Sequence, residues 1–244
     1  MVQICVHLWF RSLLDSGFLR YNAAVMLRHA LFDLDNTLYP PSSGLWEAIG
    51  QRIGQFMVER LGIRPEEVRE RRRNYLHAFG TTLSGLRQEF DVDPDDFLSF
   101  AHDLPLEKFL RYDPELDAML GRLPLTKTVF TNADADHARR VLERLGVSRH
   151  FSHIVDIRVL EWINKPDQRA YLRAMELISA LPEECLFADD AVRNLIPARG
   201  LGMLTVLVGG DGESEGAHYQ IPLVTKIESV VPNSPLRRKD TKSR

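Results

Sequence analysis

The sequence predicts an α/β fold: a parallel sheet covered by helices on both faces, with a helical domain inserted after the first strand. Three observations predict it. Short apolar runs alternate with amphipathic stretches, each of several runs ends in polar or acidic residues, and one long helical segment interrupts the alternation. Strands buried on both faces read as nearly continuous apolar runs, and their alternation with helices builds a Rossmann-like core. The 244 residues suffice for one such core and a smaller insert.

The elements follow in order. Val2 to Phe10 is mostly apolar, but Arg11 interrupts it, Asp15 follows and no basic stretch precedes it, a poor match to a secretory signal. A start at Met26 accounts for residues 1–25 better than a transit peptide, so this extension is expected to lie outside the fold. The first strand is Ala30-Leu31-Phe32, ending at Asp33. Residues 42–111 read as helical throughout: Ile49, Ile53, Phe56 and Met57 share a face, and Arg64-Pro65-Glu66-Glu67 and Asp93-Pro94-Asp95-Asp96 read as helix starts. That is too much chain for a simple crossover, and it is expected to form a helical cap. The core resumes at 112 and runs to 232, joining residues 26–41. A second strand, Lys127 to Phe130, ends at Thr131-Asn132, and Ala138, Val141, Leu142 and Leu145 form one helix face closed by Gly146. A third strand is expected at His153 to Ile157. A helix running from Asp167 repeats the apolar spacing at Tyr171, Ala174, Met175 and Ile178 and is expected to end at Pro182. The fourth strand, Cys185 to Ala188, ends at Asp189-Asp190, and the fifth, Met203 to Val208, at Gly209-Gly210. Residues 233–244 read as a disordered basic tail.

Composition excludes several function classes. Apolar residues make up 44% and charged residues 27%, ordinary for a globular protein, and the cytoplasm is the expected location. A formal net charge of -3 gives no basic field to draw nucleic acid, and no apolar stretch is long enough to span a bilayer. The two cysteines, Cys5 and Cys185, lie in unlike contexts, and Cys185 reads as a small buried hydrophobe. His150 and His153 form a lone H-x-x-H without a partner pair, so surface or packing roles are expected. Neither a Walker loop nor a Gly-x-Gly-x-x-Gly after a strand occurs.

The chemistry is concentrated at the strand ends: Asp33 and Asp35, Thr131 and Asn132, Asp189 and Asp190. Singly, an Asp after a strand caps the next helix and a Thr-Asn pair makes a turn. Together they place carboxylates and hydroxyls on one rim, where open parallel sheets bind ligands. Two like charges about 4 Å apart repel by roughly 4 kcal/mol at an effective dielectric of about 20, so positive charge must sit among four carboxylates. An all-oxygen set without His or Cys suits Mg²⁺, and Lys165, ahead of Pro166 at a helix start, can supply a further charge.

Asp33-Leu34-Asp35-Asn36-Thr37-Leu38-Tyr39 resembles the D-x-D-x-T motif of the haloacid dehalogenase (HAD) superfamily. Thr131-Asn132 resembles its second motif, Lys165 its third and Asp189-Asp190 its fourth, in order over about 31–208. The resemblance implies the HAD fold and a set of roles. Asp33 would attack phosphorus and form an aspartyl phosphate. Asp35 would protonate the leaving oxygen and then take a proton from water; the haloacid dehalogenases proper lack this second aspartate. Thr131 and the backbone amide of Asn132 would hold phosphate oxygens, and Lys165 would neutralise nucleophile and phosphoryl group. Asp33, the carbonyl of Asp35 and Asp189 would bind Mg²⁺, with Asp190 and Asn194 supporting them.

The insert lies where one branch of the superfamily carries its helical cap. Phe79 to Leu86, His102-Asp103, Thr131 to Asp134 and Asp189 to Asn194 resemble pyrimidine 5′-nucleotidases, which commonly have Ser where Ala191 stands. This resemblance implies hydrolysis of a nucleoside monophosphate, UMP or CMP. The aromatics Trp46, Tyr75 and Phe79 and the hydroxyls Thr81, Thr82 and Ser84 of the cap are expected to stack one ring and bond its edge. The competing expectations are a phosphatase for a sugar phosphate or pyridoxal phosphate, and a non-catalytic binding protein on the same fold. The binding protein would tend to lose Asp33, Asp35 or Lys165, and all three are present.

Overall fold

The computed structural model describes residues 26–210 and 215–231; the expectations for residues 1–25 and for the tail fall outside these. Strand β1 (His29–Phe32) is central, paired in parallel with β2 (Thr126–Phe130) on one side and β4 (Cys185–Asp189) on the other. Beyond β2 lies β3 (Phe151–Val155), and beyond β4 lie β5 (Leu204–Val208) and β6 (Tyr219–Ile221). The order is β3-β2-β1-β4-β5-β6 with every pair parallel. The order reverses between β1 and β4, the point outside which open sheets of this kind bind ligands.

Four helices fill the connection from β1 towards β2: α1 (Leu45–Glu59), α2 (Pro65–Phe79), α3 (Thr82–Glu89) and α4 (Pro94–His102). They enclose an apolar cluster of their own, including Phe56, Met57, Leu86, Phe97 and Leu98, which Ile157 joins from the sheet side. Helix α5 (Pro114–Arg122) then leads into β2. The remaining helices are α6 (Ala135–Leu145), α7 (Gln168–Ile178) and α8 (Val192–Gly200).

The period of two along each strand divides the core between the sheet faces. Ala30 and Phe32 pack with Val129, Leu186 and the α6 stripe of Ala138, Val141, Leu142 and Leu145. Leu31 points the other way, with Phe130 and Phe187, against Tyr171, Ala174, Met175 and Ile178 of α7. Cys185 is fully buried in this second layer, and burial pushes its thiol up to about 12.

Three local expectations need correction, and one strand was not foreseen. β3 runs over Phe151–Val155, two residues earlier than the apolar run suggests. The Asp156 carboxylate accepts from the amides of Ala135 (2.8 Å) and Val159 (3.0 Å) and turns the chain, leaving Ile157 to pack on the inserted helices. Helix α7 ends at Ser179, which takes φ 53°, and Pro182 opens a separate turn instead. Met203 falls outside β5, its amide bonded to Ala198 O at 3.1 Å. β6 has only three residues, too few to carry a readable period.

Candidate active site

The strand ends at the reversal point bring the acidic residues together. Asp33 follows β1 and Asp189 ends β4, and the Lys165 ammonium lies between them, 2.7 Å from Asp33 Oδ1 and 2.8 Å from Asp189 Oδ2. Its third donor reaches Phe130 O at 2.8 Å, so a 1%-exposed ammonium has all its hydrogens engaged. The rings of Phe130 and Phe187 flank it at 5.0 and 5.2 Å. Burial alone would lower the Lys165 pKa; Asp189 and Asp33 outweigh it and hold it above the ordinary value. Asp189 is further bonded by Asn194 Nδ2 at 2.9 and 3.0 Å and by the Ala191 amide at 2.8 Å.

Oxygens of Asp33, Asp189 and Asp190 all lie within 4.8 Å of one another. One lysine does not balance three carboxylates. Burial raises Asp33 well above the usual carboxylate range, opposed by Lys165 and reinforced by Asp189 and Asp190, and Asp190 is pushed up to about 6 by burial and Asp189. The donor set is all oxygen and short of positive charge, the conditions a hard divalent cation satisfies.

Asp35 is held apart from this group. Its carboxylate accepts from Tyr39 Oη and pairs with His137 Nε2 at 2.9 Å. Burial acts to raise Asp35, but His137 and Tyr39 win and keep it below the ordinary value. His137 lies on the first turn of α6, and the ring of His102, from the end of α4, stacks on it at 4.1 Å. His102 Nδ1 in turn pairs with the Asp134 carboxylate at 2.7 Å. Burial and the neighbouring His137 lower the His102 pKa, opposed by its pairing with Asp134. His137 was not singled out in the sequence, and His102 only within the His102-Asp103 resemblance, with no role beside Asp35. Both sit in ordinary helix patterns; only the i, i+3 spacing of Asp134 and His137 hints that the capping residue and the histidine share one face.

Thr131 and Asn132 stand at the end of β2, before the Asp134 cap of α6. The Thr131 hydroxyl accepts from the Ala133 amide at 3.0 Å. The Asn132 side chain is committed to the Lys165 backbone: it donates to Lys165 O at 3.0 Å and accepts from Lys165 N at 2.8 Å.

A cavity of about 280 Å³ lies between the rim and the inserted helices. Asp33, Asp35, Thr131, Asn132, Lys165, Asp190 and Asn194 line it from the sheet, whereas Asp189 is fully buried behind Lys165. Of the expected cap contacts, Trp46, Thr81, Thr82 and Ser84 line it. Tyr75 and Phe79 do not. The Tyr75 ring packs tightly over Gly85, with its hydroxyl donating to Glu89 at 2.7 Å, because α2 and α3 must close on each other there. Phe79 ends α2 and faces the neighbouring groove, 41% exposed. Thr81 caps α3 and donates to Ser84, whose hydroxyl donates to Asn164 Oδ1 at 2.6 Å. Asn164 Nδ2 donates to Phe79 O at 3.0 Å and to Lys165 O at 2.8 Å. One asparagine therefore joins the α2–α3 turn to the segment carrying Lys165.

The family model for haloacid dehalogenase-like hydrolases matches residues 27–202, which include all of these sheet-side residues. The chain belongs to this hydrolase family. The chain is similar to Phosphate metabolism protein 8 of Saccharomyces cerevisiae, 29% identical over 188 residues, 70% of this chain and 58% of the yeast protein. Glyceraldehyde 3-phosphate phosphatase of Methanopyrus kandleri is 27% identical over 201 residues, covering 75% and 84%. Among solved structures, a HAD phosphatase from Thermococcus onnurineus aligns with a TM-score of 0.59 at 19% identity, covering 85% of this chain and 99% of that one. L-2-haloacid dehalogenase from Xanthobacter autotrophicus aligns at 0.56 and 14%, covering 83% and 97%. At such identities the structural likeness concerns the fold.

Proposed function

We propose that this HAD hydrolase cleaves phosphomonoesters through an aspartyl phosphate on Asp33. The observation that carries the reading is Lys165, shared at 2.7 and 2.8 Å between Asp33 and Asp189 at the reversal point of the sheet, with Asp35 held separately on His137. In this reading the Asp33 carboxylate attacks phosphorus and the phosphorus–oxygen ester bond breaks; Asp35, which His137 and Tyr39 otherwise hold as the carboxylate, takes up a proton in the substrate complex and gives it to the leaving oxygen. Asp35 then takes a proton from the water that attacks the aspartyl phosphate, releasing phosphate and restoring Asp33. Thr131 and the Asn132 amide hydrogen-bond phosphate oxygens, and Lys165 neutralises developing charge. Mg²⁺ would be held by Asp33, the Asp35 carbonyl and the Asp189–Asp190 pair, of which Asp190 faces the cavity while Asp189 is tied to Lys165 and Asn194, and it would supply charge stabilisation for the phosphoryl group. The helices over 42–111 act as the cap that excludes water. No helix among the described residues is long and apolar enough to cross a membrane, and we take the setting to be the cytoplasm.

For the substrate we propose a pyrimidine nucleoside monophosphate. The support is the cavity's size and the combination of an indole, Trp46, with the hydroxyls of Thr81, Thr82 and Ser84, which can stack one ring and bond its edge. The archaeal relative's name, a glyceraldehyde 3-phosphate phosphatase, favours a second reading, a small sugar phosphate. Two measurements test these. Hydrolysis of p-nitrophenyl phosphate is expected to stop in EDTA, return with Mg²⁺, and be lost in Asp33→Asn; full turnover after exhaustive chelation, or a near-wild-type Asp33→Asn, overturns the mechanism. Steady-state kinetics are expected to give UMP and CMP a higher kcat/KM than AMP or GMP. Equal purine turnover, or sugar phosphates hydrolysed alone, moves the assignment to the second reading.

A further inference from the structure

The cap wall of the cavity carries positive charge that no carboxylate of the described chain neutralises. Arg72 stands on α2 one turn before Leu76, so both face the cavity. Its guanidinium lies across α1 at Gly50, where a Cβ would come within 3.2 Å of it, and donates to Gly50 O at 2.7 Å. Its Nε is buried without a hydrogen-bond partner. The adjacent Arg71 pairs with Glu67 and Glu89, whereas Arg72 meets no carboxylate among the described residues. Burial acts against its charged form, which lowers its pKa. Arg87, three residues after Ser84 on α3, lines the same cavity from its exposed mouth, 5.3 Å from the centre of the Trp162 ring, and it too lacks a carboxylate partner among the described residues.

Tethering α1 to α2 needs only a hydrogen-bond donor aimed at Gly50 O. A half-buried permanent cation is a costly way to supply one unless an anion completes it. The opposite wall already offers the phosphate cradle. The charge on the cap wall therefore suits a second negative group on the same ligand, which guanidinium would grip with paired charge-assisted hydrogen bonds.

We propose that Arg72, with Arg87 at the mouth, forms a second anion subsite, so that the substrate is a phosphomonoester bearing a further carboxylate or phosphate away from the ester that is cleaved. This rests on the phosphomonoester reading above and narrows it: within the nucleotides it favours one with an acidic group on base or ribose over UMP and CMP themselves.

The test uses the full chain with Mg²⁺, p-nitrophenyl phosphate for basal turnover, and matched pairs differing in one anionic group. UMP against orotidine 5′-phosphate, and glycerol 3-phosphate against 3-phosphoglycerate, probe a carboxylate; UMP against uridine 3′,5′-bisphosphate probes a phosphate. In at least one pair the anion-bearing partner is expected to have a kcat/KM higher by about tenfold or more, mainly through KM, as charged hydrogen bonds deliver. That preference is expected to shrink at high salt, fall to near unity in Arg72→Met and persist in part in Arg72→Lys. Wild-type values within about twofold across all pairs overturn the subsite, with no variant needed; so does a folded Arg72→Met that keeps the preference. Failure to hydrolyse any ester, p-nitrophenyl phosphate included, is a different result: it overturns the phosphatase reading itself.

Discussion

Lys165 is an ammonium buried to 1% exposure beside two carboxylates, and its removal exposes what each group does for the others. Without it Asp33 and Asp189 face each other uncompensated in the core. Breaking a buried pair by deleting one partner costs about 3–5 kcal/mol, so Lys165→Met is expected to lower stability by about that much in urea titrations at neutral pH, as well as ending turnover. A loss under about 1 kcal/mol would mean that the carboxylates already share a proton or find another counter-charge. Asp33 and Asp189 were legible in the sequence because they stand at strand ends, where position alone gives direction; Lys165 lies in a turn three residues ahead of α7 rather than at the helix start, and was legible only by its motif. His137 and His102 were not. Their positions 102 and 137 are brought together by the closing of α4 onto α6, and an isolated helical histidine carries no mark of such a neighbour. Arg72 was equally hidden, being the middle of three consecutive arginines of which only the fold says which one turns inward.

Among the elements, the α2–α3 turn is tied directly to the segment that carries Lys165. Gly80 has φ +81°, and a Cβ there would lie 2.5 Å from Asn164 Nδ2 and 2.8 Å from Lys165 O. Left-handed backbone and the clash together make Gly80→Ala expected to cost about 2 kcal/mol or more, and to lower kcat/KM because the displaced atoms hold Lys165. A variant with wild-type stability and activity would show that the turn can move freely from the core. Helix α5 offers a pH-dependent case. Asp117 is held down to about 2 by His150 at 2.6 Å and Arg149 at 2.5 Å, joined by Tyr112 at 2.9 Å. A carboxylate depressed from about 3.9 in the unfolded chain stabilises the fold above that pH and ceases to do so as pH falls towards 2. Asp117→Asn is therefore expected to melt below the wild type at pH 7, with the gap narrowing between pH 4 and about 2; a gap that stays constant over that range would contradict the pairing. This resolves His150, whose H-x-x-H spacing had no chemistry attached, while His153 lies exposed on β3. The boundaries that sequence misplaced, at β3 and α7, were set by an Asp156 side chain and by a left-handed Ser179, local devices that apolar periodicity cannot register.

At the scale of the whole molecule, periodicity was enough to foresee the two-faced sheet, because strands such as β1 and β4 are buried on both sides. It could not foresee the strand order, which depends on pairings between distant segments; β1 bonds to β4 across more than half the chain. The same separation governs the site. Lys165 and Asp33 stand 132 residues apart, and their bond requires β1, β2 and β4 side by side. Closing so long a loop comes at an entropic cost that local helices avoid, and folds rich in distant contacts assemble slowly. An ammonium also cannot enter an apolar core ahead of its counter-charges. The lysine thus acts as a time stamp on assembly. On dilution from urea, the far-ultraviolet signal of helices is expected to recover first, and hydrolytic competence only with the slowest phase. Simultaneous recovery of the two signals would show that the sheet centre forms at the outset, carrying its charged triad with it.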